Sequence, residues 1–289
     1  MAGDGKDDHM KWRGRRGSRN IVDARRSSGG AAIGGIGGLG AVIIVVIGLF
    51  LGVDLTPLLG GGGIQMGGGQ QTEITQADEE AAEFVSVTLA DTEEVWTRVF
   101  ADQVGEPYRP PELVLFKGAV QSACGGASAQ TGPFYCPADR RAYLDTDFFT
   151  TLSRRLGASG DFAAAYVVAH EVAHHVQTAL GILGQANRIR AQVSEAESNA
   201  ISVRIELQAD CYSGLWARYA EETLGTIEPG DIAEAMNAAE AIGDDALQGG
   251  RVRPDSFTHG TSEQRQRWFR RGYEEASLEA CDTFGTDRL

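Results

Sequence analysis

The chain has 289 residues, of which 42% are hydrophobic and 23% charged, with a net charge of −14. That is the make-up of a globular protein with room for a full core. The charge is uneven, +4 over residues 1–28 and −18 over the rest, and so acidic a body excludes nucleic acid as a partner, because phosphate binding needs a basic surface.

Residues 1–28 read as a disordered, basic cytoplasmic arm, with its Lys and Arg clustered between Lys11 and Arg26. Residues 29–55 hold a candidate transmembrane anchor. Ile33–Val53 is 21 residues without a charge, just long enough at about 1.5 Å per residue to cross a hydrocarbon layer of roughly 30 Å. Glycines between 34 and 40 weaken its first half, so the reading rests mainly on Ala41–Val53. A cleaved signal peptide is the rival, but no small-x-small cleavage site follows the run. Positive charge stays cytoplasmic, which puts the N-terminus inside and the body outside, with the bilayer as a partner through Ile33–Val53. Residues 56–76 contain GGGGIQMGGGQQ, a flexible linker.

The body spans 77–289. Apolar spacing predicts a helix over Ala77–Asp102, a proline-fixed loop over 106–112 and a strand over 113–120. A Gly-containing loop follows through Gly125, Gly126 and Gly132, then short strands around Tyr135 and Tyr143. Helices are expected over Asp145–Leu156, Asp161–Leu180, Ser194–Glu222, Pro229–Leu247 and Ser262–Ala280. The fold class is therefore α+β: a small sheet followed by mainly helices, preceded by one transmembrane helix.

The Asp161–Leu180 helix carries HEVAH at 170–174. His170 and His174 are four apart and share a helix face, so both imidazoles can reach one zinc ion. Glu171, about 100° round the helix, can take a proton from a water at the metal without ligating it. Burying two histidines and a glutamate without a metal would leave polar groups unpaired. A catalytic zinc needs a third protein ligand. His9 lies before the anchor, and His175 points away as an ordinary histidine of the same helix. Glu206 and Asp210 in ELQAD share a face on a second helix, so one can bind zinc while the other orients a ligand histidine.

Four cysteines, Cys124, Cys136, Cys211 and Cys281, permit two disulfides in a body outside the cytoplasm. Three pairings are open, and the spacing selects none. None has CxxC spacing, which makes a zinc site built from them a poor fit.

HEVAH followed by ELQAD resembles the gluzincin pattern HExxH…ExxxD. The resemblance implies a zincin-like fold, Glu206 as third ligand and Asp210 behind it. FTHGTSEQR (257–265) resembles the Thr-His-Pro…Arg signature of the HtpX-type membrane peptidases, which implies that His259 steadies the tetrahedral intermediate and Arg265 ties the site together. The chain departs by having Gly260 where those peptidases have proline. Over nearly its whole length, through KWRGRRGSRNIVDARR, CGGA…GPFYCPADRRAYLD, HEVAHHVQ, ELQADCYSGLWA and THGTSEQRQRWFRRG, it resembles the bacterial "putative neutral zinc metallopeptidase" family.

The expected function is that of a membrane-anchored zinc metalloendopeptidase with one zinc per chain, acting on a peptide or protein in the bacterial cell envelope, with Glu171 and His259 in the chemistry. The substrate is expected along the edge of the small sheet, near Tyr135 and Tyr143. The alternative is a catalytically inactive, membrane-tethered zinc protein that serves as a chaperone or binding module.

Overall fold

A computed structural model describes residues 10–26, 73–128, 131–155, 160–228, 230–247 and 254–289. The expected anchor over 29–55 and most of the linker lie outside the described residues. Among the described residues no helix is long and apolar enough to cross a membrane.

Residues 10–26 are not a disordered arm. Ile21–Asp23 forms strand β1, which pairs in parallel with Glu112–Phe116 (β2) in the register Ile21↔Leu113. Met10 and Trp12 are buried in the main core. Trp12 packs edge-on against Phe84 and donates Nε1–H to Asp161 at 2.8 Å. The basic composition that suggested disorder is matched to the acidic body: Lys11 pairs with Glu228, Arg15 with Asp91, and Arg25 with Asp23 and Glu79. Both flanks of residues 27–72 thus belong to one body.

Helix α1 (Gln76–Val99) starts at a reciprocal capping box between Thr75 and Asp78. It widens into a π-helical turn over Phe100–Val104 and stops at Gly105. The strand expected over 113–120 breaks after β2, because Gly118 turns the chain with φ +86°. Ala119–Ser122 (β3) and Gly125–Ser128 (β4) then form an antiparallel hairpin where a loop was expected. Phe134–Cys136 (β5) and Arg141–Asp145 (β6) complete a four-stranded sheet of order β1-β2-β6-β5. β6 runs parallel to β2, and β5 runs antiparallel to β6 at the sheet edge. Alternation sends Leu113, Leu115, Ala142 and Leu144 to the helical core and Val114, Phe116 and Tyr143 to a smaller cluster behind.

The helical layer comprises α2 (Phe148–Arg155), α3 (Asp161–Ala179), α4 (Ile182–Arg190), α5 (Glu195–Tyr219), α6 (Asp231–Ala241), α7 (Asp244–Leu247) and α8 (Ser262–Glu275). Every residue of α3 from Phe162 to Ala173 is buried, as a helix apolar all round must be. The single helix expected over Pro229–Leu247 breaks at Gly243, whose Cβ would stand 2.4 Å from the Ser262 nitrogen. The helix expected to run to Ala280 ends at Ala276, in the left-handed region with φ +50°.

Helices α5 and α8 meet backbone to backbone. A Cβ on Gly214 would lie 1.9 Å from the Phe269 carbonyl oxygen, and one on Gly272 would lie 1.8 Å from that of Cys211. Two disulfides fix the ends of this frame. Cys124–Cys136 ties the hairpin to β5, and Cys211–Cys281 ties α5 to the C-terminal segment.

Candidate metal centre

Because α3 is enclosed, its polar residues need partners from neighbouring helices. α5 supplies them. His170 Nε2 lies 3.0 Å from Glu206 Oε2, and His174 Nε2 lies 3.5 Å from Glu206 Oε1. One ligand atom from each of the three residues falls within 4.8 Å of the others. Two ligands about 2.0–2.1 Å from a tetrahedral zinc stand roughly 3.3 Å apart, which the two distances to Glu206 match.

Asp210 lies one helical turn beyond Glu206 and is fully buried. Its Oδ1 stands 2.9 Å from His170 Nδ1, close enough for an ion pair although the N–H is not well aligned on it. Arg265, from α8, grips the same carboxylate with Nε at 2.8 Å and Nη2 at 2.9 Å. Tyr166, one turn before His170, donates its hydroxyl to Asp210 Oδ1 at 2.5 Å. Burial by itself would push the His170 imidazole down, but Asp210 and Glu206 on either side hold it up to about 9. Burial likewise raises the Glu206 carboxyl, yet His174 and His170 hold it well below the usual range.

Glu171 is 9% exposed, and burial pushes its carboxyl up, only partly offset by His174 and His170. A carboxylate in such a place is a better base near neutral pH than one in water.

His259 sits on the turn before α8. Its Nδ1 lies 3.3 Å from Asp244 Oδ1. Asp244 Oδ2 accepts the backbone N–H groups of Thr258, His259 and Gly260 at 2.7–2.9 Å. Burial pulls the imidazole down while Asp244 and the field of Glu206 raise it, so His259 is within electrostatic reach of the third ligand. Gly260 has φ +89° and donates its N–H to Asp244. Proline, with φ near −65° and no N–H, can do neither, which accounts for the departure from Thr-His-Pro.

His175 is an ordinary core histidine. Its Nε2 donates to the Arg109 carbonyl at 2.8 Å, leaving Nδ1 to accept from the Tyr135 hydroxyl at 3.2 Å. Tyr135 thereby locks β5 to α3, whereas Tyr143 stacks on Phe134 on the far face of the sheet, away from α3. Asp244, Tyr166 and Gln177 went unnoticed in the sequence, since each bears on the centre only through a side chain brought to it by folding.

The chain matches the family described as "Putative neutral zinc metallopeptidase" over residues 10–284. It belongs to that family. The match takes in the docked arm as well as the helical body. Among similar proteins is the uncharacterised protein YpfJ of Escherichia coli strain K12, 46% identical across 96% of this chain and 99% of that one. An uncharacterised protein of Mycobacterium tuberculosis strain H37Rv is 47% identical over 65% of this chain and 68% of its own length. No solved structure matches the chain significantly. Family membership implies zinc and a peptidase, and the His170–His174–Glu206 cluster is where this chain can hold such an ion.

Proposed function

We propose that this protein is a zinc metalloendopeptidase that hydrolyses peptide bonds with water, using Glu171 as general base. The observation that carries this reading is the convergence of His170, His174 and Glu206 on one point, with the buried carboxylate of Glu171 on the same helix as the two histidines. One zinc per chain, held by those three residues, would acidify water and polarise the scissile carbonyl.

The rest of the chemistry belongs to the chain. Glu171 accepts a proton from the attacking water and passes it to the leaving amine. His259, as an imidazolium favoured by Asp244, turns Nδ1–H to that carboxylate and has Nε2–H left to donate to the developing oxyanion. Arg265 neutralises Asp210 and Tyr166 donates a hydrogen bond to it, which keeps the carboxylate in place behind His170. A peptide or protein substrate adds as a strand along the edge of β5, the strand that Tyr135 pins to α3.

The two disulfides favour an oxidising compartment outside the cytoplasm. Since β1 pairs with β2, the arm shares that compartment with the body. An inactive zinc-binding chaperone has no use for Glu171, and nothing else at the centre requires that carboxylate.

The test is Glu171→Gln in the purified full-length protein. Zinc content stays at one per chain and hydrolysis of an unfolded protein substrate is lost. Full residual hydrolysis would remove Glu171 as the base, and a wild-type protein that takes up no zinc would end the reading.

A further inference from the structure

We infer that Gln177 and Gln208 form a buried relay that fixes the tautomer and aim of His174, and so act as positioning residues for the metal centre. This rests on the zinc reading above and extends it to residues that touch neither metal nor substrate.

Gln177 is wholly buried on α3, three residues after His174. Its Oε1 stands 2.9 Å from His174 Nδ1. Its Nε2 donates to the Ile205 carbonyl at 2.8 Å and to Gln208 Oε1 at 3.0 Å. Gln208, buried on α5, donates its own Nε2 to the Cys281 carbonyl at 3.1 Å.

The direction of every bond follows from the ends. A backbone carbonyl can only accept, so the Ile205 oxygen forces the amide nitrogen of Gln177 towards α5. The Cys281 oxygen does the same for Gln208, which turns its Oε1 back to Gln177. Gln177 Oε1 is left facing His174, where it can only accept. The proton of neutral His174 therefore sits on Nδ1, and the lone pair of Nε2 points to Glu206, the direction in which a metal is bound.

The two ligand histidines are thus oriented by different chemistry: His170 by a carboxylate, His174 by a neutral amide. A second carboxylate behind His174 would add negative charge to a centre that already holds Glu171, Glu206 and Asp210. The far end of the relay is anchored by Cys281, whose disulfide partner Cys211 follows Asp210 in sequence. Both supports of the metal histidines therefore depend on the same covalent tie.

The experiment is a zinc competition titration against a chromophoric chelator, on full-length wild type, Gln177→Ala, Gln177→Glu and Gln208→Leu. Gln177→Ala should raise the zinc Kd about 10- to 100-fold, the usual effect of losing such a support. Gln177→Glu keeps the acceptor for His174 while losing the donors to α5. It should recover most of the affinity even if its melting temperature falls. Gln208→Leu leaves the His174 contact in place but frees Gln177 to rotate, and should cost a smaller, measurable factor. The imidazole nitrogen spectrum of His174 supplies a readout that mere loss of packing would not move, with the proton on Nδ1 in wild type and exchange between tautomers in Gln208→Leu. If Gln177→Ala does not fold, the other two variants and the spectrum carry the test. A zinc Kd unchanged in Gln177→Ala, or as weak in Gln177→Glu as in Gln177→Ala, overturns the relay. Failure of wild type to bind zinc would instead overturn the metal reading beneath it.

Discussion

Asp244 holds His259 at two points: its Oδ2 accepts the His259 backbone N–H at 2.7 Å and its Oδ1 faces the same residue's Nδ1 at 3.3 Å. Nδ1 is thereby engaged, which leaves Nε2 as the ring nitrogen free of Asp244. Asp244→Asn should lower kcat with little change in KM and none in zinc content. His259→Ala should cost more, about 10²–10³ in kcat, as removal of an oxyanion donor does. Peptide-hydrolysis kinetics alongside metal analysis check both. An unaltered rate in His259→Ala would move this residue out of the chemistry.

Gly214 and Gly272 set the distance between α5 and α8, and Arg265 reaches Asp210 across that contact. Alanine at either position must push the helices apart. Overpacking of this kind costs roughly 1–3 kcal/mol and sometimes more. Thermal unfolding of Gly272→Ala should show the loss, and its zinc affinity should fall with it, because Asp210 loses its guanidinium partner. Wild-type stability in both variants would contradict the close contact.

Asp78 joins four parts of the molecule. It completes the capping box of α1, accepts Lys117 at 2.7 Å and Thr146 at 2.7 Å, and through its carbonyl accepts Arg25 of the arm. Burial alone would raise its carboxyl, but Lys117, Thr146 and Thr75 hold it well below the usual range. A depressed folded pKa gives stability that is present above the unfolded value of about 3.9 and is lost as pH falls below it. Asp78→Asn, which strips a buried pair of one partner, should cost on the order of 3–5 kcal/mol at pH 7. The gap between wild type and variant should narrow as melting is followed from pH 5 to pH 2. A gap independent of pH would show that the charge is not what matters.

The pairing of β1 with β2 makes a prediction about sidedness. Arg26→Cys lies just beyond β1, and Ile189→Cys lies on the exposed face of α4. Both should react with a membrane-impermeant thiol reagent from the same side in intact cells. Labelling from opposite sides would mean that the arm is detached from the body in the membrane.

How much of this was legible beforehand depended on range. HEVAH could be placed on a buried helix because i and i+4 neighbours are fixed by the helix itself. ELQAD was legible for the same reason, as one helical face. That His170, His174 and Glu206 converge needed the packing of α5 on α3, which the resemblance to gluzincins anticipated and the fold then supplied. The arm misled because its composition matched that of a solvated cytoplasmic segment. Only the acidic partners Glu228, Asp91 and Glu79, far along the chain, turn those charges into ion pairs. The three residues Ile21–Asp23 make a strand only because a partner, β2, is in place beside them.

By itself, then, the sequence determined the local chemistry: two histidines and a glutamate on one turn, a carboxylate pair on another, and four cysteines in reach of two bridges. Tertiary structure alone decided which cysteines pair, that the arm belongs to the body, that Asp244 steers His259, and that Gln177 stands behind His174. The reason is physical. Helical spacing is dictated by backbone hydrogen bonds between neighbours, whereas the orientation of a buried side chain is set by whichever distant donor or acceptor folding brings beside it.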